Sequence, residues 1–379
     1  MGPANETSAN KPSAFTFRRG IKLAVFVLAA ILFIAAVFRL SAEPTTTAPK
    51  IGFVILGDIR NPGWNASHYE GVRAACDARG AELLVRDHVR ENAGECPAAV
   101  RELAEKGCGL ILLASFGYPA EIRDLVGKYP DVAFAATSSE AYSANMTAYF
   151  VRLYQARYLA GALAGMRTKS GVIGYVAAMP NAEVNRGINA FTLGAQRMNP
   201  DVKVVVAWTG EWENPKKEAA LTERLIREKG ADLITYHQDD AAAAETADRL
   251  GVDFIAYNAP IPEGLTHGLA SIRCRWDIYY DDILRRYLKG ELNAVKNHWI
   301  GVERDAVELT EFSPEVTEEM RTKLDAFRHE FLYQNQKLIF TGPIYDNQGV
   351  LRCDDGETIS DDTLLGKIDW QIRGVTNLD

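Results

Sequence analysis

From Ile51 to residue 289 the chain alternates short apolar runs with stretches of helical period, and no other feature constrains the fold as strongly. Strand-like runs lie at 51–56, 82–86, 109–113, 131–136, 171–177, 203–208, 232–236, 253–256 and 268–272. Helical patterns lie at 65–79, 97–106, 119–128, 150–167, 183–198, 215–229, 240–250 and 277–289. Such short runs suit strands and are too brief for helices. Apolar on both faces, they belong in a parallel sheet covered on each side by crossover helices, so the class is α/β. Four β-α units end near Asn145 and a second series starts at Gly171. A folded part of about 330 residues is too large for one open sheet, and two similar lobes are expected.

In open parallel sheets ligands lie beyond the carboxyl ends of the strands, over helix N-termini. The residues at those ends are therefore the candidate site. Ile51–Leu56 is followed by a Gly57–Gly63 loop of turn-forming residues, and Trp64 and Asn65 stand where the helix begins. Trp64 either faces a ligand or plugs the loop onto its own helix. Ser115, Phe116, Gly117 and Tyr118 follow the third strand, Trp212 follows the strand at 203–208, and Asn258 follows the strand at 253–256. Asp239 opens the helix after 232–236, where a carboxylate either caps the helix or accepts hydrogen bonds from a ligand. Flat aromatics with amides and one acid suit a planar, hydrogen-bonding ligand such as a nucleobase, and suit a sugar almost as well.

The N-terminus is built differently. Residues 1–22 form a polar, basic region carrying Arg18-Arg19, with an uncharged run from Leu23 to Phe38 behind it. A signal peptide or an N-in anchor at 23–40 fits this order of charge and apolar run. Cleavage after Ala42 would place Leu40 at the −3 position, and no Cys follows the run for lipid attachment. Residues 41–49, with two prolines and no apolar period, read as a linker. The rest is expected outside the cytoplasm, on the periplasmic or extracellular face of the membrane.

Several classes are excluded or disfavoured. The net charge of −8 gives no clustered Lys/Arg surface for nucleic acid. Phosphate-loop, Gly-x-Gly-x-x-Gly, His-Glu-x-x-His and Gly-x-Ser-x-Gly signatures are all missing, and the six histidines lack metal spacing. No catalytic residue, metal or cofactor is expected. Of five cysteines, Cys76 and Cys108 are the pair favoured if any bridge forms; packing as apolar thiols is the alternative.

Glu183–Gln196 (Glu-Val-Asn-Arg-Gly-Ile-Asn-Ala-Phe-Thr-Leu-Gly-Ala-Gln), Ala114–Tyr118, Arg157-Tyr-Leu-Ala-Gly161 and Phe340-Thr-Gly-Pro-Ile344 together resemble the basic membrane protein (BMP) family. These are substrate-binding proteins of ABC importers, including purine-nucleoside receptors, and the resemblance runs from about Lys50 to Val375. It implies a type I periplasmic-binding-protein fold, with two doubly wound parallel-sheet lobes joined by a three-segment hinge and closing like a clamshell. Lobe 1 would comprise 50–146 and 273–296, lobe 2 147–272 and 297–335, with 336–379 a C-terminal hairpin and tail; Asp346–Gly349 reads as the hairpin's turn. The resemblance puts a purine base between Trp64 and Trp212, with Asn65 and Asp239 on the base or ribose. Asn61 and Trp276 join the candidate set on the same ground.

Departures from the family pattern are visible. Asn61 stands where relatives usually carry Asp, Ala-Pro follows Asn258 instead of a stretch ending in an acid, and Cys274-Arg275 precede Trp276. A free base is thus as suitable as a nucleoside. The implied function is non-enzymatic: a monomeric extracytoplasmic protein that carries a small molecule to an ABC permease. A membrane-anchored sensor with the same fold is the alternative, and an exported nucleoside-processing enzyme a further one. That enzyme would want an Asp cluster for metal in the first loop, where Asp58 stands alone.

Overall fold

The computed structural model describes residues 48–137, 143–294, 297–333 and 338–379, and Pro49–Asp379 forms one compact unit. The apolar segment 23–40 and the linker through residue 47 lie outside the described residues. Among the described residues, no helix is long and apolar enough to cross a membrane.

Two sheets organise the unit. The first contains, in spatial order, β11 (Asn297–Ile300), β5 (Met146–Val151), β4 (Ala133–Thr137), β3 (Leu110–Leu113), β1 (Lys50–Val54) and β2 (Glu82–Arg86), all parallel. The second runs β12 (Val307–Thr310), β10 (Gly268–Cys274), β9 (Asp253–Tyr257), β8 (Leu233–His237), β6 (Val172–Ala177), β7 (Lys203–Trp208), β15 (Val375–Asn377). Its strands are parallel except for β12, antiparallel to β10. The central strands carry apolar residues on both faces because helices cover both; all four residues of β3 (Leu-Ile-Leu-Leu) are buried.

The helices are α1 (Trp64–Arg79), α2 (Glu95–Glu105), α3 (Tyr118–Val126), α4 (Leu153–Arg167), α5 (Ala182–Met198), α6 (Pro215–Lys229), α7 (Ala242–Arg249), α8 (Trp276–Leu288), α9 (Glu318–Tyr333) and α10 (Asp361–Gly366). Local chemistry sets their ends. The Asn181 and Asn214 side chains accept from the backbone N–H of Val184 and Lys217, capping α5 and α6, and Pro215 occupies the first turn of α6. Gly80 ends α1 in the left-handed conformation (φ 62°). Helices α4 and α5 approach unusually closely. A Cβ on Gly161 would lie 1.8 Å from the Phe191 carbonyl oxygen, and one on Gly194 would lie 2.0 Å from that of Tyr158.

The chain passes between the sheets three times: at Arg152, at Arg275, and between Gly301 and Ala306. The crossings are tied together. Arg152 N–H donates to Ile300 O (2.6 Å), Arg275 N–H to Ala306 O (2.8 Å), and Val302 N–H to Gln155 Oε1 (2.9 Å). The Arg152 guanidinium lies 4.1 Å over the Trp299 ring and binds both carboxylate oxygens of Asp361 (3.1 and 2.7 Å).

These crossings differ from the expected borders at 146/147, 272/273 and 296/297. β5 and β11 both belong to the first sheet, since the polar breaks at Asn145 and before Asn297 precede the last strands of that sheet instead of following them. β10 runs to Cys274 in the second sheet because Arg273 and Cys274 still pair with β12. The C-terminus is also more than a hairpin and tail. β13 (Ile344–Tyr345) and β14 (Leu351–Cys353) form the hairpin, with the Asp346 side chain accepting from Gln348 N–H and Val350 N–H at the turn. The chain then continues through α10 to β15, which adds a parallel edge strand to β7. Three residues with a single buried apolar side chain carry no periodic signal.

All five cysteines are buried and free. The pair favoured for a bridge, Cys76 and Cys108, is therefore not formed; burial pushes these thiols up, to about 12 and about 11.

Candidate functional site

A cavity between the two sheets collects the strand ends. Leu56, Trp64, Ser115 and Phe116 line it from the first lobe, and Glu183, Trp212, His237, Asp239 and Tyr257 from the second. The lobes are closed on it, and only about 20 Å³ of it is free, roughly the room of one water. A wider depression bounded by Gly57, His88, Arg90, Gly210 and Glu213 shares Leu56 and Trp212 with it and forms its mouth.

Trp64 begins α1. Its indole Nε1–H donates to Ala114 O (2.9 Å), which fixes the ring's edge. Behind it His68 lies 4.1 Å away and Trp276 5.5 Å away edge-on, with Phe150 stacked at 6.3 Å. His68 is fully buried, and its Nδ1 is 2.6 Å from the Tyr280 hydroxyl. Trp64 is thus both a cavity wall and the front of an aromatic cluster. Trp276 is 1% exposed and stacks on His68 at 3.8 Å; it backs the wall and does not line the cavity.

The remaining first-lobe candidates divide. Phe116 and Ser115 line the cavity, and Glu91 accepts hydrogen bonds from Ser115 Oγ and from Gly117 N–H (2.6 Å), which holds the loop. Tyr118 turns inward, bonding Val89 O from within the core. The Asn65 side-chain oxygen accepts from Gly57 N–H (3.1 Å), tying down its own loop, and Asn65 does not line the cavity. Asn61 sits at the rim and reaches across the cleft, donating to Glu213 Oε1 (3.3 Å).

In the second lobe Asp239 is 6% exposed and lines the cavity without capping α7; Asp240 serves that end, accepting from Ala242 N–H (2.7 Å). The Asp239 N–H donates to Trp212 O (2.9 Å), which couples the acid to the aromatic loop. The lobes nearly touch here. Gly63 has φ 121°, and a Cβ on it would lie 2.9 Å from Asp239 O. Burial holds the Asp239 carboxyl well above its usual range, and nearby Glu213, Glu183, Asp240 and Glu91 push the same way. Asn258 adopts a left-handed φ of 53°, is 1% exposed, and is not part of the cavity wall.

Leu56, Glu183, His237 and Tyr257 complete the wall, four residues that the strand-end positions of the sequence do not single out. His237 and Tyr257 are the last residues of β8 and β9, one place before the loops where site residues are usually sought. Glu183 lies in the first turn of α5, and its Oε1 is 3.5 Å from His237 Nε2; the Tyr257 hydroxyl is 3.3 Å from the same nitrogen. Burial lowers His237 to about 4, assisted by the Arg157 charge, so the imidazole is neutral at physiological pH.

Asp58, Asp87 and His88 bring ligand atoms within 4.8 Å of one another at the rim. Asp58 is already engaged by Arg60 (Nε 2.9 Å), whose guanidinium holds it well below the usual carboxylate range, so the group reads as an ion pair.

Glu218, behind Asp240 in α6, gives a pH-dependent prediction. It is fully buried, and burial with Asp240 and Asp239 nearby pushes it up to about 9. Its folded value is raised, so between the ordinary carboxylate value and about 9 the folded protein holds a proton that the unfolded chain releases. Stability from this group is therefore present at low pH and lost as pH rises. Glu218→Gln removes the dependence, and its gain in melting temperature should be larger at pH 8 than at pH 5. Equal shifts at both pH values would contradict a raised Glu218.

Two open, mainly parallel sheets, three crossings and a cavity across strand ends define a type I periplasmic-binding-protein fold, the architecture of solute-binding proteins. Residues 48–348 match the family described as ABC transporter substrate-binding protein PnrA-like, and the chain belongs to that family, Bmp. It is 32% identical to a purine-binding protein of Brucella abortus, over 86% of this chain and 92% of that one. It is 31% identical to a putative ABC transporter glucose-binding protein of Haloferax volcanii, over 78% of this chain and 75% of that one. Among solved structures, a transcriptional activator of the comK gene from Bacillus halodurans matches with a TM-score of 0.65 at 22% identity, covering 75% of this chain and 98% of that one. An ABC transporter solute-binding protein from Conexibacter woesei matches with a TM-score of 0.62 at 19% identity, covering 75% and 96%. Family and fold are those of extracytoplasmic substrate-binding proteins, not of enzymes.

Proposed function

We propose that this protein captures a purine base or nucleoside, or a similarly flat heterocycle, between its lobes and delivers it to an ABC permease. One observation carries the reading: Trp64 and Trp212, from opposite lobes, wall the same narrow cavity, with the buried Asp239 beside them. Aromatic faces on both sides favour a planar ring, and an acid at its edge favours ring or amino N–H donors. The purine-binding relative supports the assignment, while the glucose-binding one supplies the competing ligand class. An anchored sensor is the second reading, favoured by the 16-residue apolar run Leu23–Phe38 and the Leu40 that disfavours cleavage.

Asp239→Asn tests the acid. Burial in the closed cavity favours the protonated carboxyl, and a ligand N–H donor favours the carboxylate, so binding should release a proton and tighten as pH rises. Losing a charged hydrogen bond costs roughly 1.5–3 kcal/mol, a weakening of about 10- to 150-fold. Calorimetry in buffers of different ionisation enthalpy should show proton release by the wild type and none by the variant. Equal affinity and equal proton release would remove Asp239 from the site.

A further inference from the structure

Behind the cavity floor, the second lobe encloses polar groups for which the protein supplies no partner. Arg157 on α4 is fully buried; its Nη1 donates to Tyr236 O (2.8 Å) and its guanidinium lies 4.2 Å over the Tyr257 ring, while Nε and Nη2 have no hydrogen-bond acceptor. The Tyr175 hydroxyl on β6 and His237 Nδ1 on β8 are likewise buried and unpartnered. The Tyr175 hydroxyl, His237 Nδ1 and the aliphatic stem of Arg157 come together beside Gly187 of α5. A Cβ on that glycine would lie 3.6 Å from the Tyr175 hydroxyl, 3.7 Å from His237 Nδ1 and 3.9 Å from Arg157 Cγ.

Those distances are ordinary contacts, so the space admits a body of methyl size without strain. Gly187 is not among the glycines with positive φ, and no backbone presses on it as Tyr158 O presses on Gly194. Alanine would fit and would favour the helix. A glycine here keeps a polar space open. Buried waters typically bridge about three otherwise unsatisfied polar groups, which is the set gathered here.

We infer that one internal water is bound between Arg157, Tyr175 and His237 beside Gly187, and that it positions His237 for the ligand cavity. A neutral imidazole carries its proton on one nitrogen. The Glu183 carboxylate at 3.5 Å selects a proton on Nε2, because a bare Nε2 lone pair would repel it, and the Tyr257 hydroxyl oxygen at 3.3 Å then faces that proton as a second acceptor. Nδ1 is then an acceptor that needs a donor. Water accepts from the Arg157 guanidinium and donates to Nδ1; a halide ion could do only the first. The water thus holds the Nε2–H toward Glu183 and keeps that carboxylate oriented at the cavity wall. Arg157, Tyr175 and Gly187 act as positioning residues, one layer removed from any ligand.

The positioning role rests on the proposed binding site, but its test needs no ligand, so failure of the purine assignment would leave the outcome interpretable. Long-range ¹⁵N–¹H spectra of the purified protein at pH 7 should show His237 as the Nε2–H tautomer, with Nδ1 shifted as a hydrogen-bonded acceptor. In Gly187→Ala the methyl displaces the water; the Nδ1 resonance should move to that of an acceptor without a donor, and the melting temperature should fall despite the better helix former. Tyr175→Phe, which removes one partner without filling the space, should give a smaller displacement of the same resonance. An Nδ1–H tautomer in the wild type would overturn the inference. So would a Gly187→Ala protein with an unmoved Nδ1 resonance and a higher melting temperature.

Discussion

Gly161→Ala should destabilise the protein by more than about 3 kcal/mol, although alanine is the better helix former by about 1 kcal/mol. The sign is decided by contact. A Cβ at Gly161 would meet the Phe191 carbonyl oxygen at 1.8 Å, and one turn on, at Gly165, it would meet Ala195 O at 2.4 Å. Both obstructions are backbone, and Gly194 returns the same contact to Tyr158 O, so neither helix can yield without separating from the other. Their separation would open the buried face that carries Arg157 and Glu183 toward the cavity. At about 2–4 °C per kcal/mol for a domain this large, the melting temperature should drop by roughly 6–12 °C. A loss of less than about 2 °C by differential scanning calorimetry would mean that α4 and α5 do not pack as described.

Trp212→Ala should weaken ligand binding by about 10- to 100-fold, the cost of losing one stacking face worth roughly 1–3 kcal/mol. This variant isolates binding from folding better than its counterpart across the cleft. Trp212 is only partly buried, it approaches His237 at 6.1 Å, and the backbone bond it accepts from Asp239 N–H survives truncation. Trp64→Ala, in contrast, would remove the bond to Ala114 O and uncover His68 and Trp276. It should cost about 3–5 kcal/mol of stability as well as affinity. The Trp212→Ala protein should therefore melt close to the wild type while its titration midpoint moves. An unchanged Kd would remove Trp212 from the ligand clamp.

Much of the architecture was legible because parallel strands buried on both faces leave continuous apolar runs such as Leu110–Leu113, whatever surrounds them. The Asp346–Gly349 turn was legible because turn chemistry is local. Crossings were harder: Tyr149-Phe150-Val151 and Leu153-Tyr154 are apolar on every side, so the end of β5 merges with the start of α4 and no residue announces the passage at Arg152. At the site, chain position told which residues reach the strand ends but not which way they turn. Asn65, Tyr118 and Trp276 stand at the expected places yet bond or stack behind the wall, because side-chain direction is set by partners that no local pattern names: Gly57 in the preceding loop, Val89 after the second strand, and His68 some two hundred residues from Trp276. Glu183 and His237 went unselected for the converse reason. Each looks like a cap or strand terminus until the other lies 3.5 Å away.

The central claim, that the interlobe cavity accepts a flat nitrogen heterocycle, is tested most directly by calorimetric titration of the purified protein. Adenine, guanine, hypoxanthine, their nucleosides and glucose are the ligands to compare. At least one purine base or nucleoside should saturate the protein at one molecule per chain with a Kd in the micromolar range or tighter, about −8 kcal/mol or better, and glucose should not compete. Saturable binding of glucose with no binding of any purine would contradict the account.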